Sequence, residues 1–421
     1  MAQPKFSTHL GMVDILPDEV GKWQAIERII HEEARKFNFE EIRTPIMEQT
    51  ELIARGVGQL TDIVTKEMFA FERGDDHYVL RPECTAPVVR AYVEHHLEQR
   101  GGSQNLYYIG PMFRAERPQK GRQRQFHQFG AEIIGPDDPI ADVEIISLML
   151  AIYRRIGITN TTLKINSVGD PESRAAYKEA LKNYFRPYLD DMSEISRERF
   201  EKNPMRILDS KEEEDQDFID DAPVITDYLS KDTEAHYAKV KTHLDELDIS
   251  YSEDPHLVRG LDYYTRTAFE LISPDLGAQD ALGGGGRYDL LVEEIGGQPT
   301  PAVGFAAGME RLLIACEELD ITLDEDKSVD IYIVTIGDNA RTWALNHLPK
   351  LRANGISAAM DYMGRSVKAQ MKDADRENAK YTIIVGDNEL KEGKFTLRDM
   401  KASEEVALDF DNIVERLRPK N

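Results

Sequence analysis

Two strand-like segments joined by a basic connection constrain the fold of this chain more than any other feature. Residues 106–113 and 126–134 have the composition and periodicity of strands, and the polar stretch between them predicts an antiparallel hairpin. The connection carries five basic residues and a single acid, Glu116, within an otherwise acidic part of the chain, which indicates an anionic ligand. The basic residues are Arg114, Arg117, Lys120, Arg122 and Arg124.

The second of these segments has two different faces. Side chains alternate across a strand, so Phe129 and Ile133 share one face, whereas Gln128 and Glu132 share the other. Gly130 lies between the two polar residues and leaves room for a ligand on the sheet. The neighbouring amide and carboxylate could hydrogen-bond that ligand, although an ordinary exposed strand face has the same pattern.

Length and composition set the class of protein. A chain of 421 residues and 47.9 kDa predicts two or three domains rather than one core. The sequence is 41% hydrophobic and 31% charged, and it lacks a long apolar run. This composition indicates a soluble protein without a membrane span. The first residues do not resemble a secretory signal, so a cytoplasmic location is expected. Cys84 and Cys316 have neither metal-ligand spacing nor a disulfide framework, and both are expected to be core thiols.

The net charge of −25 argues against a polyanionic partner, but the charge is unevenly distributed. Residues 327–421 hold 16 basic and 15 acidic side chains, which leaves a net charge of −26 on residues 1–326. An acidic run at 211–221 is interpreted as solvated surface rather than as a metal or partner site.

Hydrophobic periodicity predicts further elements around the hairpin. Helical spacing of apolar residues begins at Pro17 and runs to Phe37, and a strand pattern returns at 265–271. Residues 171–250 are rich in Ala, Glu and Lys, which favours a mainly helical insertion. From residue 326 onward, strand patterns alternate with helix patterns, which indicates a small α/β domain.

The second helix of that small domain carries a basic stripe opposite apolar residues such as Val367 and Met371. The basic residues follow one another at intervals of three or four positions, so they are expected to lie on one solvent-facing side. A solvated face and a contact with RNA phosphates are both consistent with this pattern. The stripe consists of Arg365, Lys368, Lys372, Arg376 and Lys380.

Glycines and arginines outside the hairpin suggest how a substrate could be held. Four consecutive glycines at 283–286 would let a flat substrate approach the backbone closely, and a flexible loop is the alternative. Residues 304–313 predict a strand that runs into a helix, with Arg311 one to two turns from its start. Neither common glycine-rich phosphate loop occurs, so a nucleotide site must rely on arginines. The neighbouring His95 and His96 have no partners at metal-ligand spacing, and no metal site is predicted.

Ordered motifs make the chain similar to class II aminoacyl-tRNA synthetases. FRAE at 113–116 and FHQFGAEIIG at 126–135 resemble motif two, and GMERL at 308–312 resembles motif three. Pro45 lies in a segment that resembles motif one. Several such motifs in the correct order are far more specific than any one of them.

Further peptides resemble those of one family within that class, the histidyl-tRNA synthetases. LVRGLDYYT at 257–265 and ALGGGGRYD at 281–289 resemble the two signature peptides of the family. LRPECTAP at 80–87 also matches it, and the resemblance covers nearly the whole chain.

The resemblance implies an architecture and a reaction. Residues 1–325 would form an α+β catalytic domain, an antiparallel sheet flanked by helices, with the helical insertion at about residues 171–250. Residues 326–421 would form an α/β anticodon-binding domain. The implied reaction is ATP-dependent activation of L-histidine to histidyl-adenylate, followed by transfer to the 3′ end of tRNA(His). The implied partners are L-histidine, ATP with Mg²⁺, tRNA(His) and a second copy of the chain in a homodimer.

The resemblance also implies roles for individual residues. The catalytic residues would be Arg114 and Arg259, which would counter the charge that grows on the α-phosphoryl group of ATP. Binding of ATP would involve Arg114, Glu116, Phe126 and Arg311. The histidine site would consist of Glu83, Cys84, Thr85, Arg114, Gln128, Glu132, Arg259, Tyr263 and Tyr264. Contacts with tRNA would come from Arg117, Lys120, Arg122, Arg124, Arg365, Lys368 and Lys372.

Three other functions share parts of this pattern. A histidine-binding regulatory subunit of ATP phosphoribosyltransferase has a synthetase-like fold but typically lacks the C-terminal domain, and here Arg114, Arg259 and Arg311 are all present. A class II synthetase for threonine or proline would share the C-terminal domain but not the RGLDYYT peptide. An RNA-binding module without catalysis is disfavoured by the net charge of −25.

Overall fold

The computed structural model describes residues 5–58, 61, 63–210, 212–324 and 328–419. The chain divides into two compact units, Met1–Asp324 and Glu325–Asn421, and each unit has its own hydrophobic core. The domain boundary predicted between residues 325 and 326 lies outside the described residues. Within the described ranges, every helix is too short or too polar to cross a membrane.

The larger unit contains eleven strands and ten α-helices among its described residues. The strands are β1 (Glu40–Glu41), β2 (Met47–Gln49), β3 (Phe69–Arg73), β4 (Asp76–Leu80), β5 (Gln104–Phe113), β6 (Gln125–Ile134), β7 (Thr162–Ser167), β8 (Ser252–Glu253), β9 (Thr265–Ile272), β10 (Ala281–Arg287) and β11 (Ala302–Gly308). The helices are α1 (Pro17–Lys36), α2 (Thr50–Val57), α3 (Thr85–Glu94), α4 (Ile140–Ile156), α5 (Pro171–Phe185), α6 (Glu194–Lys202), α7 (Glu213–Ile219), α8 (Lys231–Glu246), α9 (Leu291–Glu294) and α10 (Met309–Glu318).

Eight of these strands form one large sheet in the order β1-β5-β6-β11-β10-β9-β7-β8. Neighbouring strands are antiparallel except at the two margins, where β1 is parallel to β5 and β7 is parallel to β8. A smaller three-stranded sheet has the order β2-β4-β3. The predicted antiparallel sheet flanked by helices is therefore confirmed.

One face of the large sheet is covered by α1, α4 and α10 and forms the main core. Helix α1 begins at Pro17 as predicted, because proline at the first helical position loses no hydrogen bond. Its apolar side chains recur at helical spacing, and Trp23, Ile26 and Ile30 are buried against the sheet and α4.

The predicted hairpin is formed by β5 and β6, whose register places Tyr108 opposite Gly130. The two predicted faces of β6 are confirmed as well. Phe129 and Ile133 are buried in the main core, whereas Glu132 points to the opposite side of the sheet. The alternation of β6 thus separates the core from a polar face.

Residues 171–250 hold helices α5 to α8, which confirms the predicted helical insertion. One carboxylate joins the first and the last of these helices. Asp170 caps α5 by accepting a hydrogen bond of 2.8 Å from the backbone N–H of Ser173, and it also accepts hydroxyl bonds of 2.5 Å from Ser230 and 2.9 Å from Thr233 at the start of α8. Both ends of the insertion are thereby fixed at the edge of the large sheet.

The interpretation of the acidic run at 211–221 as solvated surface is wrong for one residue. Glu213 and Glu214 are exposed, but Asp215 is fully buried. Its carboxylate accepts hydrogen bonds from the hydroxyls of Ser193, Ser196 and Ser210 at 2.8, 2.6 and 2.5 Å. Asp215 therefore stabilises the insertion from inside, which helical spacing alone did not indicate. Lys211 lies outside the described residues.

The smaller unit is an α/β fold with one sheet in the order β13-β12-β14-β15-β16. Its strands are β12 (Ile331–Thr335), β13 (Ala358–Met360), β14 (Tyr381–Val385), β15 (Phe395–Asp399) and β16 (Glu405–Leu408). Its helices are α11 (Asp338–Ala353), α12 (Val367–Arg376), α13 (Asp387–Glu392) and α14 (Phe410–Leu417). The first three strands are parallel, which is consistent with the predicted α/β domain, and β15 and β16 add an antiparallel margin.

The predicted basic stripe is only partly helical. Helix α12 begins after Arg365 and ends before Lys380, so these two residues do not lie on the helix. Arg365 is ion-paired with Asp361 and Asp373 at the start of the helix. Because Ser366 is the N-cap and Asn378 has a positive φ of 49°, the helix is shorter than the basic pattern suggested.

Candidate active site

The polar face of the large sheet is lined by glycines on its central strands. The register places Gly304 between Glu132 on β6 and Gly286 on β10, and it places Gly284 beside Glu270 on β9. A Cβ atom on Gly304 would lie 1.6 Å from Oε2 of Glu132. Large polar side chains can therefore lie flat against the sheet only because these positions have no side chain.

The glycine run at 283–286 is part of strand β10, so the alternative of a flexible loop is wrong. Gly284 and Gly286 face the polar side, where a Cβ atom would meet Arg259 at 2.8 Å and the ring of Tyr264 at 2.9 Å. Gly285 faces the other side, where its Cβ would meet the carbonyl oxygen of Gly304 at 2.0 Å. Neighbouring atoms therefore lie too close to the backbone of β10, on both of its faces, for a side chain at these positions.

Glu132 is the most deeply buried acid on the polar face. Its carboxylate accepts hydrogen bonds from the hydroxyls of Tyr288 at 2.5 Å, Thr85 at 2.8 Å and Tyr108 at 3.4 Å. Burial raises the pKa of Glu132 to about 8, because the three hydroxyls offset only part of the desolvation of the carboxylate and the negative charge of Glu83 adds to the shift. No cation of the described residues pairs with it.

Glu83, Cys84 and Thr85 lie together at the start of α3. The carboxylate of Glu83 accepts hydrogen bonds from the backbone N–H groups of Thr85 at 2.7 Å and Ala86 at 3.0 Å, so it caps the helix. Burial raises the pKa of Glu83, and the two N–H groups oppose the shift. The buried thiol of Cys84 lies 3.6 Å from the hydroxyl of Thr44, and burial raises its pKa to about 12. Both predicted core thiols, Cys84 and Cys316, are buried.

An aromatic wall stands beside Glu132. The ring centroids of Tyr263 and Tyr264 are 4.6 Å apart, and those of Tyr263 and Tyr288 are 5.6 Å apart. All three residues are buried, and burial raises the pKa of each phenol above its ordinary value. The three phenols therefore remain protonated at neutral pH.

Arg259 lies over the glycine strand. Its Nη1 donates to Oε1 of Glu270 at 2.7 Å, and its buried Nε has no hydrogen-bond partner among the described residues. An unpaired donor on a buried guanidinium is costly, so the arrangement favours an anion at this position.

Arg114 and Phe126 form a second cationic feature at the mouth of the hairpin. The guanidinium carbon of Arg114 lies 5.2 Å from the ring centroid of Phe126, and Nε donates to the carbonyl oxygen of Pro82 at 3.0 Å. Burial lowers the pKa of Arg114, and the nearby Glu116 opposes the shift. The remaining guanidinium nitrogens have no hydrogen-bond partner in the part of the chain that the structure describes, so they are available to a ligand.

Arg311 lies in the first turn of α10, as its third residue, rather than one to two turns from the start as expected. It is not an ordinary surface arginine, because it is half-buried and its Nη1 donates to the carbonyl oxygen of Ala281 at 2.8 Å. Glu116 interacts electrostatically with both Arg114 and Arg311, and Glu270 with both Arg259 and Arg311. The three predicted arginines therefore belong to one electrostatic cluster.

Gln128 is the predicted site residue with the clearest unfilled capacity. The side-chain oxygen Oε1 is buried and has no hydrogen-bond partner among the described residues. Its two cross-strand neighbours, Gly110 on β5 and Gly308 on β11, carry no side chains. An unfilled acceptor of this kind indicates a place for a ligand donor.

The basic residues of the hairpin connection are partly neutralised by acids. Lys120 pairs with Glu318 at 2.6 Å, and Arg122 lies 3.4 Å from Glu116. Arg124 donates to the carbonyl oxygen of Glu116 at 3.2 Å, whereas Arg117 is exposed and has no ion pair with any described residue. Glu318 is distant in sequence, which is why the sequence pattern overstated the free positive charge of the loop.

Three residues of the site were missed by the sequence interpretation: Tyr108, Tyr288 and Glu270. Tyr108 could have been found, because strand periodicity places it opposite Gly130 on the polar face of β5. Glu270 lies on that face of β9 by the same alternation. Tyr288 follows the end of β10, and no periodic signal indicates the direction of its side chain.

The predicted tRNA-binding residues of the smaller unit differ in how far their charges are already paired. Lys368 and Lys372 are exposed on α12 and have no ion pair among the described residues. Arg365 is exposed as well, but its guanidinium is held by Asp361 and Asp373.

Residues 11–312 match the family model described as histidyl-tRNA synthetase, and residues 330–420 match the one described as anticodon binding domain. The histidine–tRNA ligase of Chloroherpeton thalassium is 49% identical over 418 residues, which is 98% of each chain. That of Staphylococcus haemolyticus is 48% identical over 419 residues, also 98% of each chain. The crystal structure of apo histidyl-tRNA synthetase from S. aureus has a TM-score of 0.82 and 41% identity, and the match covers 100% of both chains.

Proposed function

The chain belongs to the histidyl-tRNA synthetase family, and from this premise we propose which residues carry the family's reaction in it. The reaction activates L-histidine with ATP, releases pyrophosphate and transfers the histidyl group to the 3′ end of tRNA(His) with release of AMP. The observation that carries the assignment of residues is the glycine-lined face. It brings a buried carboxylate, Glu132, together with the arginine cluster of Arg114, Arg259 and Arg311.

Recognition of histidine is assigned to the pocket around Glu132. A neutral imidazole has one donor and one acceptor, so it needs one partner of each kind. Glu132 would accept from the ring N–H, and the phenol of Tyr264 would donate to the other ring nitrogen. A site that pairs with both ring nitrogens rejects amino acids without them by factors of about 10⁴. Gln128, Thr85 and Glu83 would bind the amino group, and Cys84 supports them through packing.

Activation of histidine is assigned to the arginine cluster. Attack of a carboxylate on the α-phosphorus of ATP needs alignment and charge stabilisation rather than a strong base, because the nucleophile is already ionised. Arg114 would align the histidine carboxylate with the α-phosphate, and Arg259 would stabilise the charge on that phosphate from the opposite side. Arg311 would bind the distal phosphates, while Phe126 and Glu116 would hold the adenine. Each preorganised donor of this kind contributes about 3 to 4 kcal/mol to transition-state stabilisation.

We assign Mg²⁺ to the substrate, as MgATP. Among the described residues no group of three or more His, Cys, Asp or Glu side chains could hold a metal ion. Phosphate oxygens are the usual main ligands of Mg²⁺ in such sites, so the ion would arrive with the nucleotide and neutralise the leaving pyrophosphate. The carboxylates beside the arginine cluster are Glu116 and Glu270.

Binding of tRNA is assigned to two basic surfaces. The hairpin connection, with Arg117, Lys120, Arg122 and Arg124, would meet the acceptor end next to the active site. On the smaller unit, Lys368 and Lys372 would contact phosphates, with Arg365 adding charge at the start of α12. Exposed lysines without an acidic partner are the groups that release counterions on binding RNA.

A homodimer in the cytoplasm is also proposed. Its support is a groove of about 790 Å³ lined by Pro45, Met47, Arg90 and neighbouring residues, in the segment that resembles motif one. Ile46, Met47 and Phe71 are exposed apolar residues near this groove. Apolar surface of this kind is typical of a contact between copies.

The first test is ATP–pyrophosphate exchange with each of the twenty amino acids, on protein freed of tRNA. Exchange with histidine alone is expected. Exchange with a different amino acid would overturn the pocket assignment, and binding of histidine without exchange would favour a regulatory, non-catalytic role.

The second test replaces single arginines. Arg259→Met is expected to lower kcat for exchange by a factor of about 10² to 10³, because it removes a donor to the growing phosphate charge. Arg154→Met is the matched control, since Arg154 is exposed on α4 and has no ion pair among the described residues. Equal activity of the two variants would refute the catalytic assignment of Arg259.

The third test separates tRNA binding from chemistry. The double variant Lys368→Glu, Lys372→Glu is expected to raise KM for tRNA several-fold and to reduce the salt dependence of charging, with exchange unchanged. The control is Lys391→Glu, Lys394→Glu, which changes the same charge elsewhere on the smaller unit, where both lysines are exposed. Identical effects of both pairs would show a general charge effect instead of a contact by α12.

A further inference from the structure

The loop at residues 257–264 connects β8 to β9 and is neither helix nor strand. Its backbone is nevertheless fixed by hydrogen bonds to residues outside the loop. The side chain of Asn166 donates to the carbonyl oxygens of Leu257 at 3.0 Å and Pro255 at 3.2 Å. The N–H of Asp262 donates to the carbonyl oxygen of Val57 at 3.1 Å. The loop is therefore held in place by contacts with the rest of the unit rather than by its own secondary structure.

Two arginines of the helical insertion provide further donors to this loop. Arg174 of α5 donates through Nη1 to the carbonyl oxygens of Tyr264 at 3.0 Å and Asp262 at 3.3 Å. Arg206 donates through Nη2 to the carbonyl oxygen of Gly260 at 3.1 Å and lies 3.9 Å from the carboxylate of Asp262. Hydrogen bonds from a charged donor are among the stronger ones in proteins. The bonds of Arg174 are partly buried, whereas that of Arg206 is exposed.

The other side of the same loop faces the substrate site. Arg259 and Tyr264 lie directly over Gly284 and Gly286 of β10, where a Cβ atom on either glycine would collide with them. Arg259 reaches Glu270 across this surface at 2.7 Å. On one side of the eight-residue loop, the backbone carbonyls accept hydrogen bonds from arginines of the insertion. On its opposite side, the side chains of the loop face the substrate site.

We propose that Arg174 and Arg206 are positioning residues through which the helical insertion sets the place of Arg259 and Tyr264, and so sets the affinity for histidine. The proposal rests on the function proposed above for those two residues. Small displacements of a binding group are costly, because a hydrogen bond weakens steeply away from its preferred geometry. Removal of either guanidinium leaves loop carbonyls without a protein donor, and the loop can then relax away from β10.

The experiment compares Arg174→Met and Arg206→Met with a matched control, Arg197→Met. Arg197 lies on α6 of the same insertion and donates to the carbonyl oxygen of Met192 at 2.8 Å, so its bond is of the same kind but stays within the insertion. Methionine keeps much of the side-chain volume and removes the donors. Histidine KM, ATP KM and kcat are measured by ATP–pyrophosphate exchange, and the midpoint of thermal unfolding is measured for each variant.

Arg174→Met is expected to raise KM for histidine about tenfold, with Arg206→Met somewhat less, because the loss is that of one or two charged hydrogen bonds. Arg197→Met is expected to leave KM for histidine at the wild-type value, even if its unfolding midpoint falls as far as that of Arg174→Met. Arg174→Lys, which keeps a donor, is expected to recover part of the affinity. Equal histidine KM values in Arg174→Met and Arg197→Met would overturn the proposal. The proposed function would still stand in that case, provided that the wild type catalyses exchange with histidine.

A double variant tests whether Arg174 acts through the loop. If Arg174 positions Tyr264, then Arg174→Met changes histidine KM much less in a Tyr264→Phe background than in the wild type. Full additivity of the two substitutions would contradict that route. A Tyr264→Phe variant with unchanged histidine KM would overturn both this proposal and the histidine-site assignment of Tyr264.

Discussion

Two fully buried carboxylates of the larger unit, Glu132 and Asp142, have opposite surroundings. Glu132 accepts only hydroxyl hydrogen bonds, and burial raises its pKa to about 8. Burial alone would also raise the pKa of Asp142, but the buried guanidinium of Arg287 and the ring of His236 lower it to about 2. Arg287 pairs with Asp142 through two nitrogens, one of them at 3.1 Å, and the other contact is closer.

The difference shows what each buried acid can do. Asp142 has its counter-charge inside the protein, so its ion pair is complete and joins α4 to the end of β10. Glu132 has no counter-charge, so part of the cost of burying it remains until a ligand donates to it. A complete pair contributes to the fold, whereas an incomplete site contributes to binding. The four predictions below test this division.

The largest effect is expected from Asp142→Asn. It leaves the buried guanidinium of Arg287 without its main counter-charge, and breaking such a pair costs about 3 to 5 kcal/mol of unfolding free energy. Denaturant unfolding measures the loss, with Asp217→Asn, an exposed aspartate on α7, as the isosteric control. Histidine KM of the folded fraction should be unchanged, and a large rise in KM without loss of stability would break the comparison.

The second effect is expected from Glu132→Gln. The substitution keeps the shape of the side chain, but glutamine cannot take on the negative charge that Glu132 acquires when it gives up its proton. A hydrogen bond from the imidazole therefore weakens by about 1.5 to 3 kcal/mol. Histidine KM should rise by a factor of about ten to a hundred, with the unfolding midpoint equal to or above that of the wild type. A lower midpoint with normal KM would assign Glu132 to the fold instead.

The third effect is the share of the pH dependence of stability that comes from Glu132. In the folded protein Glu132 binds a proton below about 8, and in the unfolded chain it does so only below its ordinary value of 4.5. Between these values the folded protein holds more protons, so stability falls as pH rises, by up to about 1.4 kcal/mol per pH unit. The unfolding midpoints of ligand-free wild type and Glu132→Gln, measured from pH 5 to pH 8, should therefore diverge with rising pH. Parallel curves would contradict the raised pKa.

The smallest effect is expected from Tyr288→Phe, which removes the shortest hydroxyl bond to Glu132. Loss of one such bond is worth about 1 kcal/mol, so histidine KM should change about fivefold. Tyr153→Phe is the control, because its buried hydroxyl donates at 2.9 Å to the carbonyl oxygen of Leu282, away from Glu132. A change in KM that is equal in both variants would point to a general packing effect.

Much of the fold was predictable because it rests on local periodicity. Apolar spacing and helix signals predicted the start of α1 at Pro17, the β5–β6 hairpin, the helical insertion and the alternating strands and helices of the smaller unit. The antiparallel margin of β15 and β16 and the short length of α12 were missed. The pairing of β15 with β16 depends on tertiary packing, and the start of α12 depends on its N-cap. A basic or apolar pattern reveals neither.

The candidate site was predictable where alternation or a family peptide pointed to a residue, as for Gln128 and Glu132 on β6. It was not predictable where a partner comes from a distant part of the chain. Glu318 lies far from the basic loop in sequence and yet pairs with Lys120. Asp215 is buried inside a run of exposed acids because three serines from other segments surround it. Such pairings become visible only in the folded chain.

The glycine-lined face also limits how the histidine site proposed here could be redesigned for bulkier analogues. A pocket is usually enlarged by trimming residues of its floor, but the floor already has glycine at 130, 284 and 304. The space above these glycines is filled by Tyr108, Arg259 and Glu132. Extra volume can only be taken from the sides, where Tyr108, Tyr263 and Tyr288 stand. Two of these phenols, Tyr108 and Tyr288, donate hydrogen bonds to Glu132. A substitution that enlarges the pocket at either tyrosine would therefore also weaken the discrimination between amino acids. Engineered breadth and fidelity are therefore opposed at this site.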